Sequence, residues 1–355
     1  MSTTFSRSCD PMKTSMEEQT RIALELDELT YRCPRLKDFT LDENLPTAVF
    51  PPKIGALCES PKADLGALDL LPLELLHLLL LQLDLRSLTD FRRVNQRAMQ
   101  VVESITQYRA VITNAPGVLR CIISINAGQW VTCQNLYDKL CTPWCEQCGD
   151  FGGYLYVLTC KRVCFLCLSE DKEFLPLKYS DAIRKFGVDR QIIGTLPHMR
   201  SIPGTYSPNE KICRAQLSLV DSGSARRAGI ALHGSFSAVE QHVSDVAARK
   251  LQQYNKRAAR ATADGTGATS YRPRRARDKD LFDGQSGNPL RFMAIVRMPW
   301  LNRVSQKPEW GFHCIGCENC HYSRPLHFRR KFTAASLSEH LRQCGKLRNG
   351  KHHLD

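Results

Sequence analysis

Two Cys-x-x-Cys steps constrain this chain more than any other feature: Cys145-Glu-Gln-Cys148 and Cys164-Phe-Leu-Cys167, with fifteen residues between them. Two thiolates two residues apart reach one metal ion from a single tight turn. Two such turns at this separation supply the four sulfurs of a structural zinc site. Gly149 follows the first step and gives the turn a residue free to take positive φ. Tyr154 to Thr159 reads as a strand, so the spacing predicts a small ribbon stapled by Cys145, Cys148, Cys164 and Cys167. Four thiolates leave no open coordination position, so the site is expected to be structural and not catalytic. A redox Cys-x-x-Cys needs a βαβ frame around a single pair, which the surrounding pattern does not give. Met1 to Ser15 is polar and has no apolar signal core, so the sixteen cysteines are expected in a reducing, intracellular compartment, nuclear or cytoplasmic. Cys133 and Cys141 sit with Leu136 and Leu140 on one helix face and read as core; Cys141 and Cys160 are spare ligand candidates.

Leu71 to Asn95 reads LPLELLHLLLLQLDLRSLTDFRRVN. Pro72 suits a first helical turn, where its missing N–H would go unpaired in any case. Leu75, Leu76, Leu79 and Leu83 recur at helical spacing. Asp84 can cap a second helix with Leu85, Leu88, Phe91 and Val94 on its apolar face, and Met99, Val102 and Ile105 continue into a third. Leu73, Leu78, Leu80 and Leu81 make the first helix apolar on more than one face. Its own bundle can cover one side; the rest of the chain or a partner must cover the other.

The order Leu71-Pro72-Leu73-Glu74, Leu75, Leu79, Leu83-Asp84, Leu88 and Val94 resembles the F-box, over about 40 residues. The following stretch, from Gln107-Tyr108-Arg109 to Leu119-Arg120 and into the cysteines, is similar to a family of fungal F-box proteins. The aromatic residue many F-boxes carry after the second helix is replaced here by Asn95-Gln96-Arg97-Ala98. The resemblance implies that Leu71, Pro72, Leu75, Leu76, Leu79, Leu83 and Leu88 dock on the Skp-type adaptor of a cullin–RING ubiquitin ligase. Leucines at helical spacing also serve as ordinary core, and the exposure of the first helix separates the two readings.

A second group, Cys314-Ile-Gly-Cys317-Glu-Asn-Cys320-His321, precedes His340-Leu-Arg-Gln-Cys344. His340 and Cys344 are four apart on one face of a helix beginning near Ala334, with Leu337 and Leu341 on the opposite edge. A cysteine knuckle facing such a pair is the arrangement of a C2HC zinc finger. Spacing leaves open whether Cys317 and Cys320 or Cys314 and Cys317 form the knuckle. The resembled family carries Trp-Gly-x-x-Cys-x-Gly-Cys here, matched by Trp310 to Cys317, which implies Cys314, Cys317, His340 and Cys344 as the second zinc site. Lys351-His352-His353 reads as a solvated end.

The fold class expected is α+β and multi-module: an N-terminal three-helix F-box-like bundle, a small zinc-stapled ribbon and a C-terminal C2HC-like finger. The boundaries are a disordered arm over 1–62, the helical domain at 63–110 and a helical plus four-cysteine zinc module at 111–190. A mixed strand and helix region over 191–260, a basic disordered linker at 261–288, a strand plus C2HC-like module at 289–348 and a basic tail at 349–355 complete the chain.

The net charge of +13 is clustered: between Arg249 and Lys279 stand ten Lys/Arg and two Asp, which puts +8 of it in one stretch. Arg272 to Lys279 reads first as a solvated loop and second as an import signal or a phosphate contact. No stretch reaches the roughly 18 uncharged residues of a membrane span, and no nucleophile elbow, phosphate loop, H-E-x-x-H or dinucleotide turn appears. The function expected is therefore non-catalytic: a substrate receptor joining an unknown protein substrate to a Skp–cullin complex, with two structural Zn²⁺. The alternative is a zinc-stabilised nuclear protein that binds nucleic acid or chromatin.

Overall fold

The computed structural model of the chain describes residues 29–31, 37–45, 63–263, 286–318 and 326–353. Six short helices follow one another after residue 72. α1 (Leu73–Gln82) starts behind Pro72, and α2 (Leu85–Arg92) behind Asp84, whose carboxylate accepts from Ser87 N at 2.9 Å. α3 (Gln96–Ser104) is capped by Asn95, which accepts from Ala98 N at 2.8 Å. α4 (Thr106–Asn114), α5 (Pro116–Ser124) and α6 (Cys133–Leu140) follow, the last capped by Thr132. The first three helices stand where a three-helix bundle is expected, but they do not close a domain. α4 packs on α3 and α6, and α1 on α3 and α6, so all contribute to one core with Leu76, Leu80, Leu88, Val102, Val111 and Leu136.

That core runs directly into the cysteine ribbon. β1 (Thr30–Tyr31) comes from the N-terminal segment. β2 (Tyr154–Tyr156) and β3 (Lys161–Val163) form the expected hairpin, followed by α7 (Phe165–Glu170). A second sheet holds β4 (Leu177–Lys178), β5 (His198–Arg200) and, after the hairpin of β6 (Gly204–Tyr206) and β7 (Lys211–Cys213), the central β8 (Ser218–Val220). α8 (Tyr179–Phe186), α9 (Arg190–Gly194), α10 (Ser222–His233) and the long α11 (Phe236–Ala263) gather around it on a core of Leu177, Phe186, Val220, Ala225 and Val239.

After α12 (Pro289–Met293), β9 (Ile295–Arg297) pairs antiparallel with β2, register Tyr154↔Arg297 and Tyr156↔Ile295. Hence 111–190 and 289–348 are not separate modules: they share a sheet ordered β3-β2-β9. β10 (Trp300–Leu301) and β11 (Pro308–Glu309) form a hairpin. β12 (His313–Cys314) pairs with β1, α13 (Ala334–Cys344) follows, and β13 (Lys346–Arg348) with β14 (Lys351–His353) closes the described chain.

The 1–62 arm is corrected where it is described. Leu41 is fully buried in the main core, Asp42 pairs with Arg297 at 2.9 Å, and the buried Asp38 accepts from the Tyr154 hydroxyl and pairs with Arg329. These contacts reach across the chain, so no local periodicity announced them. In the expected 261–288 linker, α11 extends to Ala263; residues 264–285, with Arg272 to Lys279, lie outside the described residues. Among the described residues no helix is long and apolar enough to cross a membrane.

Candidate metal centres and the exposed leucine helix

The first centre is a tight turn facing a helix start. The turn is closed by Cys145 N donating to Asp150 O at 2.6 Å and Gly149 N donating to Cys145 O at 2.9 Å, with Gly149 at φ +78. Cys164 stands at the N-cap of α7, and Cys167 one turn on returns its sulfur to the same point. All four sulfurs lie within 4.8 Å of one another, with Cys148 Sγ 3.6 Å from Cys164 Sγ. A tetrahedron with metal–sulfur bonds near 2.3 Å requires about 3.8 Å between sulfurs, so the donor set fits one ion. Cys145, Cys164 and Cys167 are buried and Cys148 is exposed. Hydrogen bonds from Cys148, Cys164 and Cys167 hold the Cys145 thiol far below its ordinary range, and contact with Cys145 pushes Cys164 and Cys167 up. Four crowded thiols resist shared ionisation; a divalent cation removes that conflict.

Behind the turn lies a residue that the cysteine pattern does not mark. Arg162 is fully buried and donates to four backbone carbonyls: Gly152 at 2.6 Å, Lys139 at 2.8 Å, Pro299 at 3.0 Å and Met298 at 3.2 Å. Its own N–H donates to Glu146 Oε1 at 2.8 Å. Arg162 thereby ties the turn to the end of α6 and to the connection between β9 and β10. Burial draws its pKa down to about 9.

The second centre joins Cys314, Cys317, His340 and His352. This corrects the expected set, in which Cys344 was the fourth ligand and His352 a solvated end. Cys317 Sγ is 3.2 Å from His340 Nε2 and 3.4 Å from His352 Nε2, and Cys314 Sγ is 3.4 Å from His352 Nε2. Cys344, one helical turn beyond His340, lies 3.5 Å from the other ring nitrogen, Nδ1, and so stands on the far side of the imidazole. The β13–β14 hairpin brings His352 in. Asn349 and Gly350 both take positive φ, the two-residue turn that matches strand twist, and the register sets Leu347 opposite His352. His352 Nδ1 lies 3.0 Å from Gly345 O; a carbonyl only accepts, so the proton sits on Nδ1 and the Nε2 lone pair faces the sulfurs. Gly316 leaves room for that ring, since a Cβ there would meet Leu347 Cδ2 at 2.2 Å and the His352 ring at 2.8 Å. The hydrogen bond from Cys317 holds Cys314 down to about 4. Cys320 lies outside the described residues.

A cavity of about 180 Å³ opens between the centres, lined among others by Trp144, Phe151, Arg330, Phe332, Glu339 and His340.

The leucines assigned to adaptor docking divide between the core and the surface. Leu76 is 3% exposed and Leu88 0%; both belong to the core, as do Leu80 and Leu81, and the docking assignment of Leu76 and Leu88 is corrected accordingly. Leu71 and Leu83 are half-buried and Pro72 is exposed. Leu75 and Leu79 are 49% and 53% exposed, and Leu70, Leu73 and Leu78 stand open beside them. Periodicity alone could not choose the inward face of a helix that is apolar nearly all round.

Compared with protein-family models, with curated proteins and with solved structures, the chain matches none.

Proposed function

We propose that this chain is a non-catalytic substrate receptor of a Skp–cullin–F-box ubiquitin ligase. The observation that carries the reading is the set of exposed leucines Leu75, Leu78 and Leu79 on one side of α1, a helix whose other side holds Leu76, Leu80 and Leu81 in the core. Contiguous exposed leucines of this kind mark a partner surface. The Leu-Pro-x-Glu opening supports a Skp-type adaptor as that partner, through the F-box resemblance. The metal at both centres is Zn²⁺: a set of four cysteines and a set of two cysteines with two histidines are tetrahedral sulfur and nitrogen donor groups suited to it. With all four positions taken by protein, each ion serves folding.

Binding of the full chain to a Skp-type adaptor tests this directly. Full burial of a leucine is worth about 1.5–3 kcal/mol, and about half of Leu75 and Leu79 remains to be covered. Leu75→Ala with Leu79→Ala therefore weakens capture by about 1.5–3 kcal/mol, or roughly 10- to 150-fold, with the fold intact. Leu76→Ala instead costs about 2–5 kcal/mol of stability. Wild-type chain that binds no Skp-type adaptor removes the reading.

A further inference from the structure

Beyond its first turns, α11 carries little packing over residues 247–257. Its first turns pack: Val239 is 2% exposed within the core of the second sheet, and Val243 lies against it. From Ala247 to Arg257 no residue is buried, and only Tyr254 is even partly covered. A stretch with so little packing gains little from tertiary contact and rests mainly on propensity, which Ala, Arg, Lys, Gln and Leu supply.

Its charges are arranged. No acid occurs between Asp245 and Asp264, while Arg249, Lys250, Lys256 and Arg257 are all exposed. At about 100° per residue these four fall within an arc of about 120°, in two rows. Arg249 and Lys256 form one row and Lys250 and Arg257 the other. The exposed Gln253 lies between the rows.

We infer that this projecting helix is a docking surface for duplex DNA, its two cation rows meeting phosphates on either side of a major groove. The major groove of B-DNA admits one α-helix, whereas that of A-form RNA is too deep and narrow for side chains to read. A membrane surface helix needs a broad apolar face opposite its charges, and a groove-binding helix needs apolar anchors at i, i+3 or i+4, and i+7. The opposite side here offers Leu251 among Ala247, Ala248 and Asn255. The surface is separate from the leucine strip of α1, so the adaptor reading and this one stand or fall independently.

The test uses the full, metal-loaded chain and a labelled mixed-sequence duplex DNA, with affinity measured by anisotropy across a salt series. The variant replaces Arg249, Lys250, Lys256 and Arg257 together by Gln, which keeps helix propensity and disturbs no core. Counterion release predicts that the slope of log K against log salt falls in magnitude by about 0.9 per lost phosphate contact, or about 3.6 for four. Affinity near 0.1 M salt falls by roughly three orders of magnitude. Metal content, circular dichroism and adaptor binding stay at wild-type values. An unchanged slope in the variant overturns the proposal. So does wild-type chain that ignores duplex DNA, or that prefers phosphatidylserine vesicles or single-stranded RNA to it.

Discussion

Exchanging the fourth ligand of the second centre separates the two possible sets. His352→Ala removes a ring nitrogen that lies 3.4 Å from both Cys314 and Cys317 sulfurs. Cys344→Ala removes a sulfur 3.5 Å from the outer nitrogen of His340. Structural zinc in small modules binds with about 10–16 kcal/mol, so one of four ligands carries about 2.5–4 kcal/mol, or roughly 70- to 900-fold in affinity. Loss of a group that only orients a ligand costs about 10- to 100-fold. Chelator competition on the full chain resolves the two centres, because the four-thiolate site is unchanged in both variants and serves as an internal reference. His352→Ala is expected to release one equivalent of zinc at far lower chelator than wild type, with Cys344→Ala between them. The ligand assignment fails if Cys344→Ala weakens the centre as much as His352→Ala, or if His352→Ala leaves it untouched.

Two further substitutions probe the surroundings of the centres. Gly316→Ala places a methyl 2.2 Å from Leu347 Cδ2 and 2.8 Å from the His352 ring, so zinc content drops from two equivalents towards one while the first centre stays filled; elemental analysis reads this out. Arg162→Met takes the side-chain donor from the buried carbonyls of Gly152, Met298 and Pro299, while Lys139 O keeps Thr142 N, at about 1–3 kcal/mol for each unsatisfied group. Partial relaxation brings the expected total to about 3–5 kcal/mol, seen as a lowered denaturant midpoint with an unchanged slope.

What was legible in the sequence was local. The four cysteines of the first centre stand in two turns whose spacing is itself the geometry, and His340 follows from a helix that shares a face with its neighbours. His352 was legible in principle: Asn349-Gly350 between Leu347 and His352 is a two-residue hairpin signal, and a hairpin returns a residue to the place it left. Read as a charged tail, the signal went unused. The burial of Leu41, Asp38 and Arg162 depends on partners far along the chain, about which neither period nor spacing carries information. For α1 the pattern gave a helix without a preferred face, and only the packing of α3 and α6 decided that Leu76 turns inward and Leu79 outward.

The sheet behind the first centre carries a consequence for synthesis. Tyr156 pairs with Ile295, which is 139 positions further along. At about 5–20 residues per second, the ribosome takes roughly 7–28 s to cover that distance. During this interval the four-cysteine turn and the β2–β3 hairpin are complete and able to take their metal, while β2 presents an unpaired edge of Tyr, Leu and Tyr. Such an edge is a template for pairing with another chain. The nascent protein therefore passes through an open-edged form, and its yield is expected to depend on how well that edge is shielded until β9 arrives.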